Sequence, residues 1–452
     1  MKSVALHNLG CKVNAYEMDV MQQMLQEKDY QIVSFDEQAD IYIVNTCTVT
    51  NIADRKGRQV LHQAKKRNPS AVVVAVGCYV QTGKEKALMD EGIDLCIGNN
   101  KKKELIPILE AFLEEREVSS EKSKTLHGTS IIDIDHTTEY EEMMLTKTAE
   151  HTRAYIKIQD GCNQFCSYCI IPYARGRVRS RKTEDILAEI RGLVRSGYKE
   201  IVLTGIHISS YGIDFSEREE KTVYTGNSGL LDLIREIHKI EDLKRIRLGS
   251  LEPRIISEEF VREISRMEKI CPHFHLSLQS GSNTTLKRMN RHYTAEEYYE
   301  KVELLRNAYD HPAITTDVIT GFPGETEKEF EETRKYLEKI SFYGMHIFKY
   351  SKRQGTAAAA MKDQVPDEIR QERSAILLAM EREQSAAFRK RKIGSFAEVL
   401  FEENKEIGGT LYWIGHTAEY IKVAKAEKKD LSNCLVSGKI IGFLTEEILL
   451  ME

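Results

Sequence analysis

The chain has 452 residues, of which 41% are hydrophobic and 30% are charged, and its formal net charge at pH 7 is −5. This balance is typical of a soluble globular protein of about three domains; it argues against a largely disordered chain and against a protein that coats nucleic acid over its whole surface. No apolar run is long enough to cross a bilayer, and we expect no secretory signal.

The first hundred residues alternate short apolar strands with polar helical segments. This alternation predicts an N-terminal α/β domain with a parallel sheet, residues 1–110. From Lys101 to about Glu150 the chain is charged and irregular, which predicts a short helix followed by a linker, and the linker is assigned to residues 111–147. The predicted strands are SVALHNL, ADIYIVNT and SAVVVAVG.

Three cysteines, Cys11, Cys47 and Cys78, each come just after one of these strands. Because the carboxyl ends of parallel strands lie along one edge of a sheet, the three thiols are expected to meet there. The alternative is three independent cysteines buried in the core.

Residues 148–375 return to the strand–helix alternation and predict a partly open (β/α) barrel. Its first strand leads into Cys162, Cys166 and Cys169, in the run DGCNQFCSYCIIPYARG. Thiolates at C-x3-C-x2-C can hold three irons of a cubic iron–sulfur cluster and leave the fourth iron without a protein ligand. The alternative is structural zinc, which is usually closed by four ligands, and no His or fourth Cys is nearby in the sequence. The predicted strands are AYIKIQD, EIVLTGI, RIRLGSL, FHLSLQS, ITTDVITGF and MHIFKY.

Residues 376–447 include short runs of alternating character and predict a small C-terminal β-barrel. Trp413 or its neighbour Tyr412 could stack on unpaired RNA bases, although alternation along a strand turns one of the two inward. Two basic stretches could bind phosphates or could simply be solvated surface. These stretches are Arg389, Lys390, Arg391 and Lys392, and the alternating Arg175, Arg177, Arg179 and Arg181.

The nine cysteines are an odd number and are not spread like a disulfide scaffold, which predicts a reducing cytoplasmic location. Cys96, Cys271 and Cys434 have no partner by spacing and are interpreted as small core residues. The histidines of the barrel segment also lack ligand spacing, which favours structural roles over a metal site.

The C-x3-C-x2-C motif resembles the signature of the radical S-adenosylmethionine enzymes. The resemblance implies that the open iron binds S-adenosylmethionine and that an electron then splits off a 5′-deoxyadenosyl radical. With the single cysteines in GCKVN, NTC and VGC and the C-terminal β-barrel, the whole chain resembles the methylthiotransferases. That family implies a second 4Fe-4S cluster on Cys11, Cys47 and Cys78, and it implies that the C-terminal unit is a TRAM domain, which binds RNA.

Further motifs that carry the resemblance are EIVLTGIHISSYG, HLSLQSGSNTTLKRMNR and TDVITGFPGETEKEF. They fall at the carboxyl ends of predicted barrel strands, where function concentrates. For the polar residues among them, the alternative is a strand end in contact with water. The candidate contacts to S-adenosylmethionine are Tyr168, Gly205, Ser277, Gln279, Ser280, Asp317 and Gly321.

GCKVNAYE and LTGIHISSYG resemble the branch that modifies N6-threonylcarbamoyladenosine at position 37, beside the anticodon of tRNA. Other branches act on isopentenyladenosine or on a ribosomal protein. The implied reaction removes hydrogen from C2 of the adenine and installs a methylthio group there. The implied partners are tRNA, through its anticodon loop, and an electron donor such as a flavodoxin or ferredoxin, while the sulfur donor is not indicated. The rival from another class is a non-catalytic RNA-binding protein with structural metal sites.

Overall fold

The computed structural model describes residues 1–118, 128–146, 152–215 and 228–452. In chain order these residues form a parallel α/β sheet, a partial (β/α) barrel and a closed β-barrel, which confirms the predicted fold class. Among the described residues there is no helix whose length and hydropathy would allow it to span a bilayer. The expected limit between residues 147 and 148 lies outside the described residues.

The N-terminal sheet has the strand order β2-β1-β3-β4-β5-β6, with each neighbouring pair parallel. Its three longest strands coincide with the predicted ones, and two of them, β3 and β4, are buried on both faces, which produces long apolar runs. The strands are β1 (Ser3–Asn8), β2 (Gln31–Val33), β3 (Ile41–Thr46), β4 (Val72–Gly77), β5 (Leu95–Ile97) and β6 (Gly128–Ser130). The α-helices of this unit are Lys12–Gln26, Asn51–Arg67, Cys78–Thr82, Lys84–Leu88 and Leu105–Val118.

The interpretation of residues 111–147 as a linker is wrong for the part that the structure describes. Helix Leu105–Val118 crosses the expected boundary, and β6 adds an edge strand to the sheet. Met143 and Leu145 are buried, and the hydroxyl of Tyr16 donates to the carbonyl of Met143 at 2.7 Å. Apolar residues are sparse here among charges, so the composition suggested a linker, but these few residues pack against the N-terminal core. Residues 119–127 and 147 lie outside the described residues.

The central unit is a row of six parallel strands in chain order, as predicted, with one short antiparallel strand at its edge. Isolated bridges from Ile246 to Ile270 and from Leu251 to Leu276 join its two halves. The strands are β7 (Arg153–Asp160), β8 (Arg179–Ser180), β9 (Glu200–Gly205), β10 (Arg245–Leu248), β11 (His273–His275), β12 (Ala313–Thr320) and β13 (Gly344–Lys349). The α-helices are Ile171–Arg175, Thr183–Arg195, Ser228–His238, Glu258–Ile264, Asn283–Arg288, Ala295–Ala308, Glu327–Ile340, Ala357–Ala360 and Asp367–Lys390.

The two faces of this curved sheet differ in chemistry. Residues such as Ile156, Leu203 and Val318 lie in one apolar core with the outer helices. The alternate residues lie on the inner face and include buried charged side chains such as Lys157 and Arg247. Helix Lys12–Gln26 of the N-terminal unit packs on that face against β7 and β9, so the N-terminal unit covers the open side of the barrel.

The C-terminal unit is a closed barrel in the strand order β14-β15-β16-β18-β17. Its Tyr420 reaches the inner face of the central barrel, where the ring centroid lies 4.8 Å from the guanidinium carbons of both Arg153 and Arg247. Since Arg153 begins β7, this contact closes the amino end of the central barrel and leaves its carboxyl end for the site. The strands are β14 (Phe396–Ile407), β15 (Thr410–Thr417), β16 (Lys422–Lys425), β17 (Leu435–Phe443) and β18 (Leu449–Met451).

Candidate functional site

The C-x3-C-x2-C loop is held from several sides where β7 ends. Gly161 turns the chain with φ +73°, and the Cys162 amide donates to the Gly176 carbonyl at 3.0 Å. The Ser167 hydroxyl donates to the Arg288 carbonyl at 2.8 Å, and the Ala358 amide donates to the Ser167 carbonyl at 2.7 Å. Hydrogen bonds within the protein therefore hold the loop in this shape.

Two thiols of this loop, those of Cys162 and Cys169, hold their protons more tightly than a free thiol does. Burial raises the pKa of Cys162 to about 11 and that of Cys169 to about 12, and the neighbouring Cys166 raises both further. Nη1 of Arg291 lies 3.3 Å from the Cys166 sulfur and donates to it. Bound iron would stabilise the thiolates that burial disfavours, so the residues fit a cluster.

Cys11, Cys47 and Cys78 come together at the carboxyl edge of the N-terminal sheet. A Cβ added to Gly10 would lie 2.7 Å from Cβ of Cys47, so the backbone beside Cys11 touches Cys47. Nδ2 of Asn14 donates to the carbonyls of Leu9 at 2.7 Å and Thr46 at 3.0 Å, which clamps the two loops together.

The third thiol, that of Cys78, interacts electrostatically with the thiol of Cys47. Burial raises the pKa of Cys47 to about 12, the thiols of Cys78 and Cys11 raise it further, and Arg175 lowers it. Nδ2 of Asn99 lies 3.5 Å from the Cys78 sulfur. This set also fits a cluster held by three thiolates.

The number of thiols argues against structural zinc in either set, because such zinc is usually closed by four ligands and each set supplies three thiols. Among the described residues, the one group whose ligand atoms all lie within 4.8 Å of one another is His275, Asp317 and His346. Neither thiol set belongs to that group, and three thiolates suit three corners of a cubic iron–sulfur cluster.

Arg175 joins the two thiol sets. Its guanidinium is fully buried and donates to Oδ1 of Asn14 at 2.7 Å, to Oε1 of Glu17 at 2.8 Å and to Oδ2 of Asp160 at 3.0 Å. Asn14 follows Cys11 by three residues, and Asp160 precedes Cys162 by two. One side chain thus fixes the edge of the N-terminal sheet relative to the C-x3-C-x2-C loop.

The interpretation of the alternating arginines as a basic surface stretch is wrong for most of its members. Arg175, Arg179 and Arg181 are fully buried. Their partners are remote in sequence, such as Glu17 for Arg175, or lie on the next helix, such as Glu189 for Arg181. Sequence periodicity carries no signal for such partners.

Several of the predicted cofactor contacts lie at the carboxyl end of the barrel. Gly205 ends β9, and a Cβ there would lie 2.9 Å from the Gln159 carbonyl. The Ser277 carbonyl accepts from the Tyr293 hydroxyl at 2.6 Å, and Gln279 has φ +74°. Tyr168 is half-buried and packs edge-on against Phe322 at 6.5 Å.

Two of the predicted contacts are occupied by the protein itself. The Ser280 hydroxyl is 1% exposed and lies 3.1 Å from that of Thr333 on an outer helix. Gly321 does permit a close approach, but the neighbour is Arg370, whose Cγ would be 2.1 Å from an added Cβ. Both positions therefore contribute to packing against the outer helices.

Some of the predicted RNA contacts are buried or paired within the protein, and others are exposed. Trp413 is 8% exposed and belongs to the core of the C-terminal barrel, so the alternation of β15 turns it inward and the stacking role is wrong. Arg389 donates to the Ser385 hydroxyl at 2.8 Å, and Lys392 pairs with Glu419 at 2.5 Å. Lys390 and Arg391 remain exposed.

A substitution at Gly161 tests how the loop geometry supports the cluster. A Cβ there would lie 1.8 Å from the Arg177 carbonyl, and φ is positive, so Gly161→Ala is expected to displace the loop and to lower the iron bound after anaerobic reconstitution. The matched control is Gly192→Ala, inside helix Thr183–Arg195 with open space around it; it should keep its iron and gain about 0.5–1 kcal/mol of stability. Equal iron in both variants would contradict the argument.

Comparisons with known proteins agree with this geometry. Residues 156–337 match the Radical SAM superfamily, and residues 3–98 match the Uncharacterized protein family UPF0004. The threonylcarbamoyladenosine tRNA methylthiotransferase MtaB of Bacillus subtilis is 39% identical over 98% of this chain and 94% of its own length. The chain belongs to the methylthiotransferase family of radical S-adenosylmethionine enzymes.

Two further relatives and one solved structure are also similar to this chain. The MtaB protein of Aquifex aeolicus is 40% identical over 98% of this chain and 99% of its own length. The tRNA-2-methylthio-N(6)-dimethylallyladenosine synthase of Thermoanaerobacter pseudethanolicus is 34% identical over 98% of the chain and 88% of its own length. Among solved structures, the radical S-adenosylmethionine methyltransferase TsrM of Kitasatospora setae covers 77% of this chain and 73% of its own, with a TM-score of 0.55 and 16% identity, which shows the fold alone.

Sequence reasoning missed Asn14 and Arg291, and it gave Arg175 a different role. Arg175 was visible in the PYARG run after the last cysteine, but nothing local showed that it would be buried. Arg291 lies 125 residues beyond the Cys166 that it contacts.

Proposed function

We propose that this methylthiotransferase modifies tRNA at C2 of N6-threonylcarbamoyladenosine 37, next to the anticodon. Relatives named for that nucleoside are 34–40% identical, and two of these reach 39% and 40% over 98% of the chain. Relatives named for the dimethylallyl nucleoside are 33–34% identical. The observation that carries the proposal is the pair of three-thiol sets joined across Arg175.

Each thiol set is assigned a 4Fe-4S cluster: one on Cys162, Cys166 and Cys169, and one on Cys11, Cys47 and Cys78. When bound, the clusters and S-adenosylmethionine supply the radical and the sulfur chemistry, because an aromatic C–H bond is beyond ordinary acid–base catalysis. The three-ligand sets leave each cluster one coordination position for that purpose.

The chain's own residues position and enclose these groups. Arg175 sets the two thiol loops at a fixed separation, and helix Lys12–Gln26 covers the open side of the barrel. Tyr420 closes the amino end of the barrel and keeps bulk water from that side. For S-adenosylmethionine, the positions that keep a cofactor role are Tyr168, Gly205, Ser277, Gln279 and Asp317.

We assign RNA binding to the C-terminal barrel, a TRAM domain, with phosphates held by Lys390 and Arg391, which are exposed. The anticodon loop is the part of tRNA that presents splayed bases to the carboxyl end of the central barrel. A cytoplasmic location and an electron donor such as a flavodoxin or ferredoxin complete the proposal.

The deciding experiment uses the reconstituted, chemically reduced protein with S-adenosylmethionine and matched tRNAs. The tRNAs would carry adenosine, isopentenyladenosine or N6-threonylcarbamoyladenosine at position 37, and the nucleosides would be analysed by mass spectrometry. A gain of a methylthio group on the threonylcarbamoyl form alone is the expected result. If the product formed on isopentenyladenosine instead, the protein would belong to the branch that modifies that nucleoside. If the protein bound tRNA but formed no product, a non-catalytic role would be favoured.

A further inference from the structure

Three side chains in the central barrel, His275, Asp317 and His346, have the composition of a metal site. One ligand atom from each lies within 4.8 Å of the other two, and no other group of three His, Cys, Asp or Glu side chains in the described part of the chain meets that limit. The sequence carries no spacing signal for this group, because its members come from three different strands that only the sheet brings together.

Strands β11, β12 and β13 place the three side chains next to one another. Asp317 is paired with His346 in the register of β12 with β13, and His275 is paired with Thr315, two residues before Asp317. The residues adjacent in sequence pack into the apolar core with the outer helices, so the three ligands lie on the inner face of the barrel. These adjacent residues are Phe274, Val318 and Met345. Ligands on strands are held more precisely than ligands on loops.

Two of the ligands already lie at a separation that suits a single ion. Nε2 of His275 is 3.2 Å from Oδ2 of Asp317. Two ligand atoms that are each about 2.1 Å from one divalent ion lie roughly 3.0–3.4 Å apart in octahedral or tetrahedral geometry. The ring centroid of His346 is 5.7 Å from that of His275, and the His346 side chain is exposed. Rotation of this exposed side chain therefore brings a ring nitrogen to the same ion.

Thr315 orients the His275 ring in the way that a metal-binding histidine requires. Its Oγ1 lies 3.0 Å from Nδ1 of His275 and can accept the proton of that nitrogen. Nε2 then carries the lone pair and faces a carboxylate oxygen of Asp317. A cation between the two atoms replaces the repulsion of two lone pairs by two coordinate bonds. Histidines that bind metals almost always donate their other ring N–H to a partner of this kind.

The access and the chemistry of the group indicate which ion it would take. The Asp317 side chain is 26% exposed and His346 is exposed, so an ion can enter from solvent. Two imidazoles and one carboxylate suit Zn²⁺ or Fe²⁺, whereas Mg²⁺ and Ca²⁺ prefer oxygen ligands. Three protein ligands leave at least one coordination position for water or another ligand.

We propose that His275, Asp317 and His346 bind one divalent transition-metal ion, Zn²⁺ or an ion of similar preference, in the interior of the barrel. This site is separate from the two thiol sets, and it does not depend on which nucleoside the protein modifies. Asp317 is also among the proposed contacts to S-adenosylmethionine. A cation on its Oδ2 leaves Oδ1 for the cofactor, because a carboxylate has two acceptor oxygens.

The test counts zinc on the full-length protein after anaerobic reconstitution has filled both thiol sets with iron and sulfide. The protein is dialysed to equilibrium against Zn²⁺, and zinc and iron are measured in the same sample. We expect about one zinc per chain in addition to about eight irons. X-ray absorption at the zinc edge, which iron does not obscure, should show nitrogen and oxygen neighbours at about 2.0–2.2 Å and no sulfur at about 2.3 Å.

Three variants test the assignment of the ligands. Thr315→Val should weaken zinc binding by about ten- to hundredfold, the usual cost of removing the partner that orients a metal-bound histidine. His275→Ala and His346→Ala each remove a ligand and should weaken zinc binding by more than about hundredfold. All three variants should keep their iron, because none of these residues belongs to a thiol set.

The matched control is His62→Ala. Nε2 of His62 lies 2.7 Å from Oδ1 of Asp90, which makes a His–carboxylate pair that no third ligand completes among the described residues. This variant should bind as much zinc as the wild type.

The proposal would be overturned by any of three results. The wild type could bind no zinc; the variants could bind zinc as tightly as the wild type, which would place the ion elsewhere; or the absorption spectrum could show sulfur neighbours, which would place zinc at the cysteines.

Discussion

Replacing Cys162, Cys166 and Cys169 together with alanine is expected to lower the bound iron from about eight to about four atoms per chain and to abolish reductive cleavage of S-adenosylmethionine. The reason is that each thiol set holds its own cluster and that this set lies at the carboxyl end of the barrel. Iron and sulfide analysis of anaerobically reconstituted protein, together with detection of 5′-deoxyadenosine, provides the measurement.

The matched variant replaces Cys11, Cys47 and Cys78 with alanine. It should also keep about four irons, but it should still form 5′-deoxyadenosine and make no methylthiolated nucleoside. Cys434→Ala, in the C-terminal barrel, serves as the control that changes neither quantity. If both triple variants kept all their iron, or if zinc filled either site, the assignment of two clusters would be wrong.

Arg175→Met is expected to destabilise the protein by about 3–5 kcal/mol, because it leaves the buried carboxylates of Glu17 and Asp160 without their shared guanidinium. Lys102 and Lys157 would still contact Glu17, so the loss is not complete. Equilibrium unfolding in urea of the metal-free protein measures the effect on the chain itself. The same variant should lower product formation, since the two thiol loops lose their common anchor.

The control for this substitution is Arg235→Met, which removes an ion pair with Glu263 at a partly exposed position on an outer helix. Such a pair contributes within about 1 kcal/mol, so the two variants should differ clearly. Arg175→Lys should fall between them, because an ammonium cannot bridge three acceptors in the fixed geometry of a guanidinium. Equal stability of Arg175→Met and the wild type would show that the buried network is not a structural anchor.

The fold could be predicted in detail where a strand is buried on both faces. The runs IYIVNT and VVVAVG have every residue buried, and such runs stand out against any polar background. Three-residue strands such as β2, β5 and β6 are too short to show a period, and β6 lies in a segment whose charges resemble those of a linker. The sheet therefore has twice as many strands as could be predicted from the sequence.

The candidate site, too, could be predicted from the sequence only in part. The loop of Cys162, Cys166 and Cys169 is a local motif, because its three cysteines lie within eight consecutive residues. The meeting of Cys11, Cys47 and Cys78 follows from one topological rule about parallel sheets. Trp413 shows the limit of alternation, which says that neighbours face opposite ways but not which of them faces the core.

The amino-acid sequence by itself determined which parts the protein contains: two sets of three thiols, an α/β framework and a terminal β-barrel. What only the tertiary structure decided is how these parts face one another. The burial of Arg175 against Asn14 and Glu17 depends on contacts across 161 and 158 residues of chain. Local propensity has no information about such contacts, because a side chain's charge becomes a constraint only when packing removes water and selects its partner.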